Sequence, residues 1–416
     1  MTIETDKLKL AAVTSNPKPA YRWLILGLAV LTAVSVVAAP TMALPVLFDE
    51  IAAELSLSLV QVGLIWGMLS FTGIFVGLIG GSLGDRFGTK SVLTLACLLV
   101  GLTGALRGLS TGFSMLLATT LLVGLVQPII PINLHKLCAV WFPSKELGMA
   151  NGAVSSGMAL GFLLGSLLSA TILSPLLSGW RNVLYAYGGL ALLIGLLWLM
   201  TRAPAAELTG DQRPISPLEG LPHVARLRNV WIMGLALLGF GGAVQGYLGY
   251  LPLYLRSIGW ETVSADSALA TFHAVSLCAA IPITLLSDRL KIRRGFLMLA
   301  TLMLVAGVGL MSVAEGWLVW AAVALAGLMR DGFMALFMTT VTEIKGIGVA
   351  YTGTAIGFVL MFSMAGQVVS PPLGNSLAGI SPTLPFLFWA TLALMGFIAF
   401  LFLEGKETNF AVKFDR

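Results

Sequence analysis

Long apolar segments alternate with short polar breaks along almost the entire chain. Each segment approaches or exceeds the roughly 20 residues that a helix needs to cross a bilayer, and none has the alternating pattern of membrane strands. The pattern therefore predicts twelve membrane-spanning helices. In the first half they cover 23–48, 58–83, 90–107, 112–136, 147–173 and 182–201, and in the second half 229–253, 264–286, 295–313, 316–341, 350–376 and 383–403.

The two halves of this pattern repeat each other. The pair Asp85-Arg86 recurs 203 positions later as Asp288-Arg289. Internal repeats of this kind build many secondary transporters, in which two bundles move against each other. The sequence therefore predicts an all-α membrane protein whose twelve helices form two pseudo-symmetric six-helix bundles.

The polar stretches set the predicted boundaries of the bundles. The prediction is a cytoplasmic tail at 1–22, the first bundle at 23–201, a cytoplasmic linker at 202–228, the second bundle at 229–403 and a cytoplasmic tail at 404–416. The linker gathers prolines and mixed charges, which favours a solvated tether. A short amphipathic helix near 218–228 is the alternative.

Composition and charge indicate a membrane protein with a defined orientation. The sequence is 57% hydrophobic and 10% charged, against about 25% charged residues in soluble domains. If the N-terminus is cytoplasmic, 20 of the 24 basic residues fall in cytoplasmic segments, as the positive-inside rule requires. We therefore predict a multi-pass protein of the cytoplasmic membrane with both termini inside. The net charge of +5 is then a topology signal, and nucleic-acid binding is disfavoured.

Residues that carry chemistry are too few and too scattered to indicate a catalytic centre. The chain has three histidines and three cysteines, and the cysteines lack metal-ligand spacing. Acidic side chains concentrate in the outer loops on this topology, Asp266 among them, and Arg256 falls at an outer helix end. We expect no enzyme activity, no metal and no cofactor.

The polar break at residues 81–90 carries a motif. It reads Gly-Ser-Leu-Gly-Asp-Arg-Phe-Gly-Thr-Lys, and here the chain resembles the major facilitator superfamily. The family signature in this loop is a glycine, then leucine, aspartate, arginine and glycine, then a basic pair. Thr89 departs from it where arginine is usual, and the second copy at 286–294 keeps the Asp-Arg pair but lacks the glycines. The resemblance covers essentially the whole chain.

This resemblance implies a gate at the loop. In the superfamily the aspartate, here Asp85, holds the start of the eleventh helix when the cytoplasmic side is closed, and a carboxylate is favourable near a helix N-terminus. Ordinary positive-inside loop charges are the alternative account. The residues assigned to gating are Gly81, Asp85, Arg86, Gly88, Lys90, Asp288 and Arg289.

Small residues four apart predict close helix packing. The fifth helix places Gly157, Gly161 and Gly165 on one stripe, and the second helix offers Gly73 and Gly77. The resemblance implies that helices five and eight, and two and eleven, face each other across the bundles. We therefore expect these stripes at contacts between bundles, although packing within one bundle would need small residues as well.

Two adjacent charges, Arg330 and Asp331, lie in the middle of the tenth helix, where a charge costs roughly 2.5 to 3.5 kcal/mol on insertion scales. Adjacent residues point about 100° apart on a helix. We therefore expect Asp331 to be held against protein and Arg330 to face the central cavity, which helices one, four, seven and ten line in the superfamily. An arginine there can bind a carboxylate through two parallel hydrogen bonds. The alternative is a structural pair of Arg330 with Asp331.

Other polar residues in the apolar helices are candidate substrate contacts or helix–helix hydrogen bonds: Gln127, Asn133, Gln245, Tyr247, His273 and Gln367. The short run from Asn133 to Pro143 resembles cyanate and nitrate-type and related anion carriers. We predict a monomeric secondary active transporter in the lipid bilayer that moves a small organic or inorganic anion by alternating access. A neutral or amphipathic solute, including efflux, and a transporter-like solute sensor are the alternatives, and a coupling proton is left open.

Overall fold

The helices have the length and composition of membrane spans. In the computed structural model the described residues are 19–202, 217–290 and 292–403. Within these ranges, twelve helices are long and apolar enough to cross a membrane, which confirms the predicted fold class. We number them as follows: α1 Ala20–Leu55, α2 Leu59–Phe71 continued by Gly73–Phe87, α3 Thr89–Leu109, α4 Phe113–Trp141, α5 Ser144–Leu177, α6 Trp180–Met200, α7 Arg228–Ser257, α8 Thr262–Leu290, α9 Arg293–Leu310, α10 Trp317–Thr342, α11 Gly348–Leu377 and α12 Leu384–Leu401.

Several predictions fall on residues outside the described part. These are most of the two tails, the linker segment 203–216 and Lys291. The side chains of residues 77–82 and of Asp85 are also outside it. Gly81 and Asp85 are therefore located only by their backbone positions in the second segment of α2, and their gating role stays a prediction.

Several helices change geometry partway along their length, among them α1, α4 and α10. α4 consists of Phe113–Val126 and Ile129–Trp141, α10 of Trp317–Gly327 and Arg330–Thr342, and α1 contains a π-helical segment at Ala33–Ala38. Pro128 accounts for the break in α4, because proline has no N–H and its ring clashes with the preceding turn. In the 203-residue repeat Gln127 matches Arg330, so α4 and α10 break at equivalent places. Paired breaks point to a functional site at this depth.

The ends of the helices define two faces. The closed face holds the loops 56–58 and 258–261, and the termini face holds the loops that follow α2, α4, α8 and α10. Towards the closed face, α1, α2 and α5 pack extensively on α7, α8 and α11. Among the described residues, the second segments of α4 and α10, which lead to the termini face, pack extensively only on helices of their own half. The second segment of α2 also leads to the termini face, and it packs on α11. The halves are therefore joined at the closed face, and the second segments of α4 and α10 stay within their own halves.

The contact between α2 and α11 is close because two glycines lie in it. A Cβ atom on Gly63 would lie 2.7 Å from Pro372 Cα, and one on Gly67 would lie 2.5 Å from the Val368 carbonyl oxygen. Such distances leave no space for a side chain, so the two backbones touch directly. The predicted pairing of helices two and eleven is present, with these glycines at its centre.

The glycine stripe of α5 packs within the first half, which corrects the expectation that it faces α8. A Cβ on Gly161 would lie 2.7 Å from the Val34 carbonyl oxygen, and one on Gly165 would lie 2.4 Å from the Ala39 carbonyl oxygen. Both oxygens belong to α1, in or next to its π-helical segment. α5 meets α8 through larger side chains, including Phe162.

Part of the linker forms a helix that docks on α11. This linker helix covers Pro217–Val224, and its Gly220 lies against Thr354. His223 Nε2 donates to the Gly346 carbonyl at 2.7 Å, and the His223 ring stacks on Tyr351 with centroids 4.3 Å apart. The solvated-tether prediction is therefore wrong for this segment, because histidine and glycine contacts to α11 hold it.

Candidate functional site

The break in α10 places two charged residues at the start of a helical segment. Arg330 and Asp331 begin that segment, where N–H groups lack partners within the helix. The Asp331 N–H donates instead to Ser276 Oγ of α8 at 3.1 Å. Gly327 allows α8 to approach, since a Cβ there would lie 2.5 Å from the Phe272 carbonyl oxygen. The break is therefore held against α8.

The two charges pair with each other. Arg330 Nη1 donates to Asp331 Oδ1, and the side chains are 22% and 23% exposed. The structure thus contains the pair that the sequence analysis gave as the alternative, because the long arginine side chain folds back towards its neighbour. This is the only hydrogen bond of the Arg330 side chain among the described residues. Most of its N–H donors are left for other acceptors.

Residues from α5 and α8 complete what we call the Arg330 cluster: Phe162, His273, Ser276, Arg330 and Asp331. The guanidinium carbon of Arg330 lies 5.3 Å from the centroid of the Phe162 ring, a distance at which cation–π attraction operates. The Phe162 ring lies 5.5 Å from the imidazole of His273. His273 is 1% exposed, and its Nε2 has no hydrogen-bond partner in the described part of the chain. Since Phe162 belongs to the first half, the cluster joins the two halves.

The Arg330 cluster contains the groups that an anion receptor needs. A partly buried guanidinium can hold a carboxylate through two parallel hydrogen bonds. Because Asp331 occupies part of the guanidinium, an incoming anion must share Arg330 or displace Asp331. Phe162 and Ser276 were missed by sequence reasoning, since neither is charged. Within the described residues no group of three or more His, Cys, Asp or Glu side chains could hold a metal ion.

Gln127 and Asn133 make backbone hydrogen bonds away from the Arg330 cluster. Gln127 Nε2 donates to the Val37 carbonyl and to Thr41 Oγ1, both at 3.1 Å. Gln127 therefore donates hydrogen bonds to two acceptors of α1, near the end of the π-helical segment. Asn133 is 0% exposed, and its Nδ2 donates to the Ile129 carbonyl at 2.8 Å. In this conformation both residues support helix structure.

Gln245 and Gln367 lie where the halves join, whereas Tyr247 packs on Phe272 and Phe386 of its own half. Gln245 Nε2 lies 3.5 Å from the backbone carbonyl of Trp66 in α2, and Ser70 Oγ donates to Gln367 Oε1 at 2.8 Å. Tyr247 is 0% exposed, and its hydroxyl has no partner among the described residues. Among the described residues, His273 is thus the one of the six additional candidates that lies in the Arg330 cluster, in contact with Phe162.

The loop after α2 has a backbone that requires glycine. Gly88 has a φ of 80°, which side chains rarely adopt. The exposed Arg86 guanidinium lies 5.3 Å from the Phe87 ring centroid. Gly84 lies against Asn133, whose Oδ1 would be 2.0 Å from an added Cβ. The loop is thus shaped by its glycines, and the gating roles of Arg86, Gly88 and Lys90 stay predictions.

The second copy of this loop contains an ion-pair network. Arg293 Nη2 donates to Asp288 Oδ1 at 3.1 Å, and Arg293 Nη1 pairs with Glu343 at the end of α10. Arg289, assigned to the gate with Asp288, is exposed. Arg293 matches Lys90 in the 203-residue repeat, and that correspondence is the sequence signal for it. The network connects α8, α9 and α10 within the second half.

Comparisons with known sequences agree with this architecture. The model of the Major Facilitator Superfamily matches residues 24–352. The probable sulfoacetate transporter SauU of Cupriavidus necator is 26% identical over 389 residues, which are 86% of this chain and 88% of that protein. The probable galactarate/D-glucarate transporter GudP of Bacillus subtilis is 30% identical over 209 residues, which are 47% of this chain and 44% of that protein. The hexuronate transporter of Bacillus subtilis is 24% identical over 241 residues, covering 55% of this chain and 56% of that protein.

Solved structures share the fold. A bacterial homologue of the human lysosomal transporter Spinster, in an inward-facing and unoccupied conformation, has a TM-score of 0.72 at 18% identity. That match covers 93% of this chain and 95% of the homologue. The nucleoside transporter NupG has a TM-score of 0.73 at 14% identity, covering 91% of this chain and 98% of NupG. At these identities the likeness concerns the fold alone.

Proposed function

This chain belongs to the Major Facilitator Superfamily, and we propose that it is a secondary transporter that binds a small organic anion at Arg330. The relatives named for sulfoacetate, galactarate or D-glucarate, and hexuronate share one substrate chemistry. Each of these names describes a compact, water-soluble organic anion. That shared chemistry supports an anionic solute for this chain as well.

The observation that carries the proposal is the half-buried guanidinium of Arg330 at the break in α10. It lies on Phe162 of α5, next to His273 and Ser276 of α8. A charge at this depth is costly, and functional sites are where such charges are retained. An anion that reached Arg330 would contact elements of both halves, as a solute in an alternating-access carrier must.

Orientation in the membrane is part of the proposal. The excess of basic residues in the loops of the termini face supports a cytoplasmic location for that face, with the protein in the cytoplasmic membrane. On this orientation the closed face, where the halves are joined, lies on the outer side of the membrane. Transport would involve movement of two bundles, residues 23–201 and 229–403, within one monomer.

A neutral solute is the second candidate, because Asp331 already balances the charge of Arg330. If this pair remains intact during transport, the solute meets no net charge. The two candidates therefore differ in what happens when the arginine is replaced. An anion carrier depends on Arg330, whereas a carrier of neutral solutes tolerates its loss if folding is preserved.

Uptake into proteoliposomes tests the proposal. The purified protein is reconstituted and assayed with radiolabelled sulfoacetate, D-glucarate and a hexuronate, with an uncharged sugar as the neutral solute. For the anion that is transported, Arg330→Gln is expected to raise KM by about 10- to 100-fold, the value of one or two charge-assisted hydrogen bonds.

The control variant is Arg226→Gln, which removes an exposed arginine next to the linker helix. Its uptake of the same anion is expected to match that of the parent. Saturable uptake of the neutral sugar, together with no anion uptake, would favour the second candidate. Anion uptake that is unchanged in a folded Arg330→Gln variant would remove Arg330 from the binding site.

A further inference from the structure

A second buried charge pair lies at the closed face, far along the helices from Arg330. Arg256 in the last turn of α7 donates from Nη2 to Asp266 Oδ1 of α8 at 2.5 Å. The Arg256 and Asp266 side chains are 9% and 0% exposed. From the sequence, Asp266 was expected in an outer loop. The structure corrects this expectation, because Asp266 lies one turn inside α8 and is buried.

Both members of this pair also bond to the first half of the chain. Thr171 Oγ1 of α5 donates to Asp266 Oδ2 at 3.0 Å, and Arg256 Nη1 donates to the Val46 carbonyl of α1 at 2.7 Å. Four helices, two from each half, thus meet at one ion pair. If the closed face opens, the hydrogen bonds from Thr171 to Asp266 and from Arg256 to the Val46 carbonyl have to break.

The charge around Asp266 is unbalanced. α1 contributes two carboxylates, Asp49 and Glu50, which repel the carboxylate of Asp266. Among the described residues, Arg256 of α7 is the one cation that forms an ion pair with Asp266. From α5 the facing groups are hydroxyls, Thr171 on Asp266 and Ser174 on Glu50 at 2.6 Å. The charges of α10, Arg330 and Asp331, lie two to three turns further along α8, at Ser276.

We propose that Asp266 is a proton-binding site that controls the opening of the closed face. Ionised Asp266 is held by Arg256 and Thr171, and a buried carboxylate is tolerated only with such partners. A proton from the adjacent solution adds to a carboxylate oxygen and gives a neutral acid. The attraction to Arg256 is then lost, and the guanidinium can move to water together with α7. When the face closes again, the proton returns to that solution.

This inference adds pH regulation to the transporter proposed above and rests on the Arg256–Asp266 pair, not on Arg330. It predicts that acidification opens the closed face. The readout is the distance between two spin labels, on cysteines replacing the exposed Ala53 of α1 and Ile258 after α7, measured by pulsed electron resonance. The native Cys97, Cys138 and Cys278 are first replaced by serine or alanine.

In the labelled parent, moving from mildly alkaline to mildly acidic buffer is expected to raise the ratio of long to short distances at least about tenfold, the effect of one charge-assisted hydrogen bond. Asp266→Asn is expected to show the long distance at both pH values. Glu50→Gln removes a negative charge near Asp266, so it is expected to keep the opening but to shift it to lower pH. Thr171→Val is expected to open more readily but to keep the pH dependence.

Two results would overturn the inference: a parent whose distances do not change with pH, or a folded Asp266→Asn variant that responds as the parent does. The pH dependence measured on the parent tests the inference even if Asp266→Asn fails to fold. The Arg330→Gln variant separates this inference from the proposed function. In that variant the distance across the closed face is expected to change with pH as it does in the parent. A pH response without anion uptake would contradict only the proposed function, and anion uptake without a pH response would contradict only this inference.

Discussion

The indole N–H of Trp66 donates to the backbone carbonyl of Gln245 at 2.7 Å, and this bond joins the two halves of the protein at the closed face. Trp66 is 1% exposed and packs edge-on against Phe48. Gly249 provides space for it, because a Cβ there would lie 2.4 Å from Trp66 Cδ1. The position of Trp66 in the first half thus requires a glycine at position 249 in the second half.

Gly249→Ala is therefore expected to disturb the closed face. Overpacking costs about 1–3 kcal/mol, and the cost falls on the conformation in which Trp66 and Gly249 touch. Distances between labels at Ala53 and Ile258 should lengthen. Gly189→Ala in α6, where an added Cβ meets nothing within 4 Å, is the matched control. Unchanged distances in Gly249→Ala would mean that Trp66 moves aside without affecting the halves.

Gly165→Ala is expected to destabilise the first half without opening the closed face. Its Cβ would lie 2.4 Å from the Ala39 carbonyl oxygen, within one half, and backbone cannot move aside as a flexible side chain can. A loss of about 1–3 kcal/mol should appear as a lower midpoint in thermal unfolding. Gly152→Ala, also in α5 but with open space, should leave the midpoint unchanged or slightly higher.

Gly88→Ala is expected to slow transport. The φ of 80° and ψ of 143° at Gly88 are strained for alanine, by about 1–3 kcal/mol. The loop between α2 and α3 must then change shape, which alters the predicted gate residues around it. Initial uptake rates should fall about tenfold relative to Gly148→Ala, whose Cβ meets nothing within 4 Å. Equal rates would argue against a role of this loop in gating.

His223→Ala is expected to release the linker helix. The substitution removes the hydrogen bond to the Gly346 carbonyl and the stacking on Tyr351, together about 1–2 kcal/mol. Trypsin should then cleave after Arg226 several-fold faster, since cleavage requires a locally opened chain. Cleavage after Arg202 in the same digest is the internal control. A folded variant with parental cleavage rates would show that other contacts hold the helix.

Asp331→Asn is expected to strengthen anion binding. Without the negative charge of Asp331, Arg330 has more of its charge available for the solute, and KM for the transported anion should fall about tenfold. Arg330→Gln changes KM in the opposite direction. If both variants lose uptake to the same extent while remaining folded, the pair serves structure, and the solute binds elsewhere.

Sequence alone predicted the twelve spans closely. The tenth span was predicted at 316–341 and observed at Trp317–Thr342, and the twelfth at 383–403 and Leu384–Leu401. Apolar length and basic loop residues are local properties, so they can be read without knowing which helices meet. Arg330 was identified by its charge within an apolar span, and the repeat matches it with Gln127, at two helix breaks that proved to be equivalent.

Only the tertiary structure decided which helix faces which neighbour. The stripe containing Gly161 packs on α1, in and next to its π-helical segment, and Arg330 pairs with Asp331 at the point where α10 begins a new segment. Asp266 was assigned to a loop by its charge, yet α5 and α7 cover it with Thr171 and Arg256. Burial and pairing depend on residues far apart in the chain, and a linear pattern of apolar and polar positions contains no information about which of them arrive together.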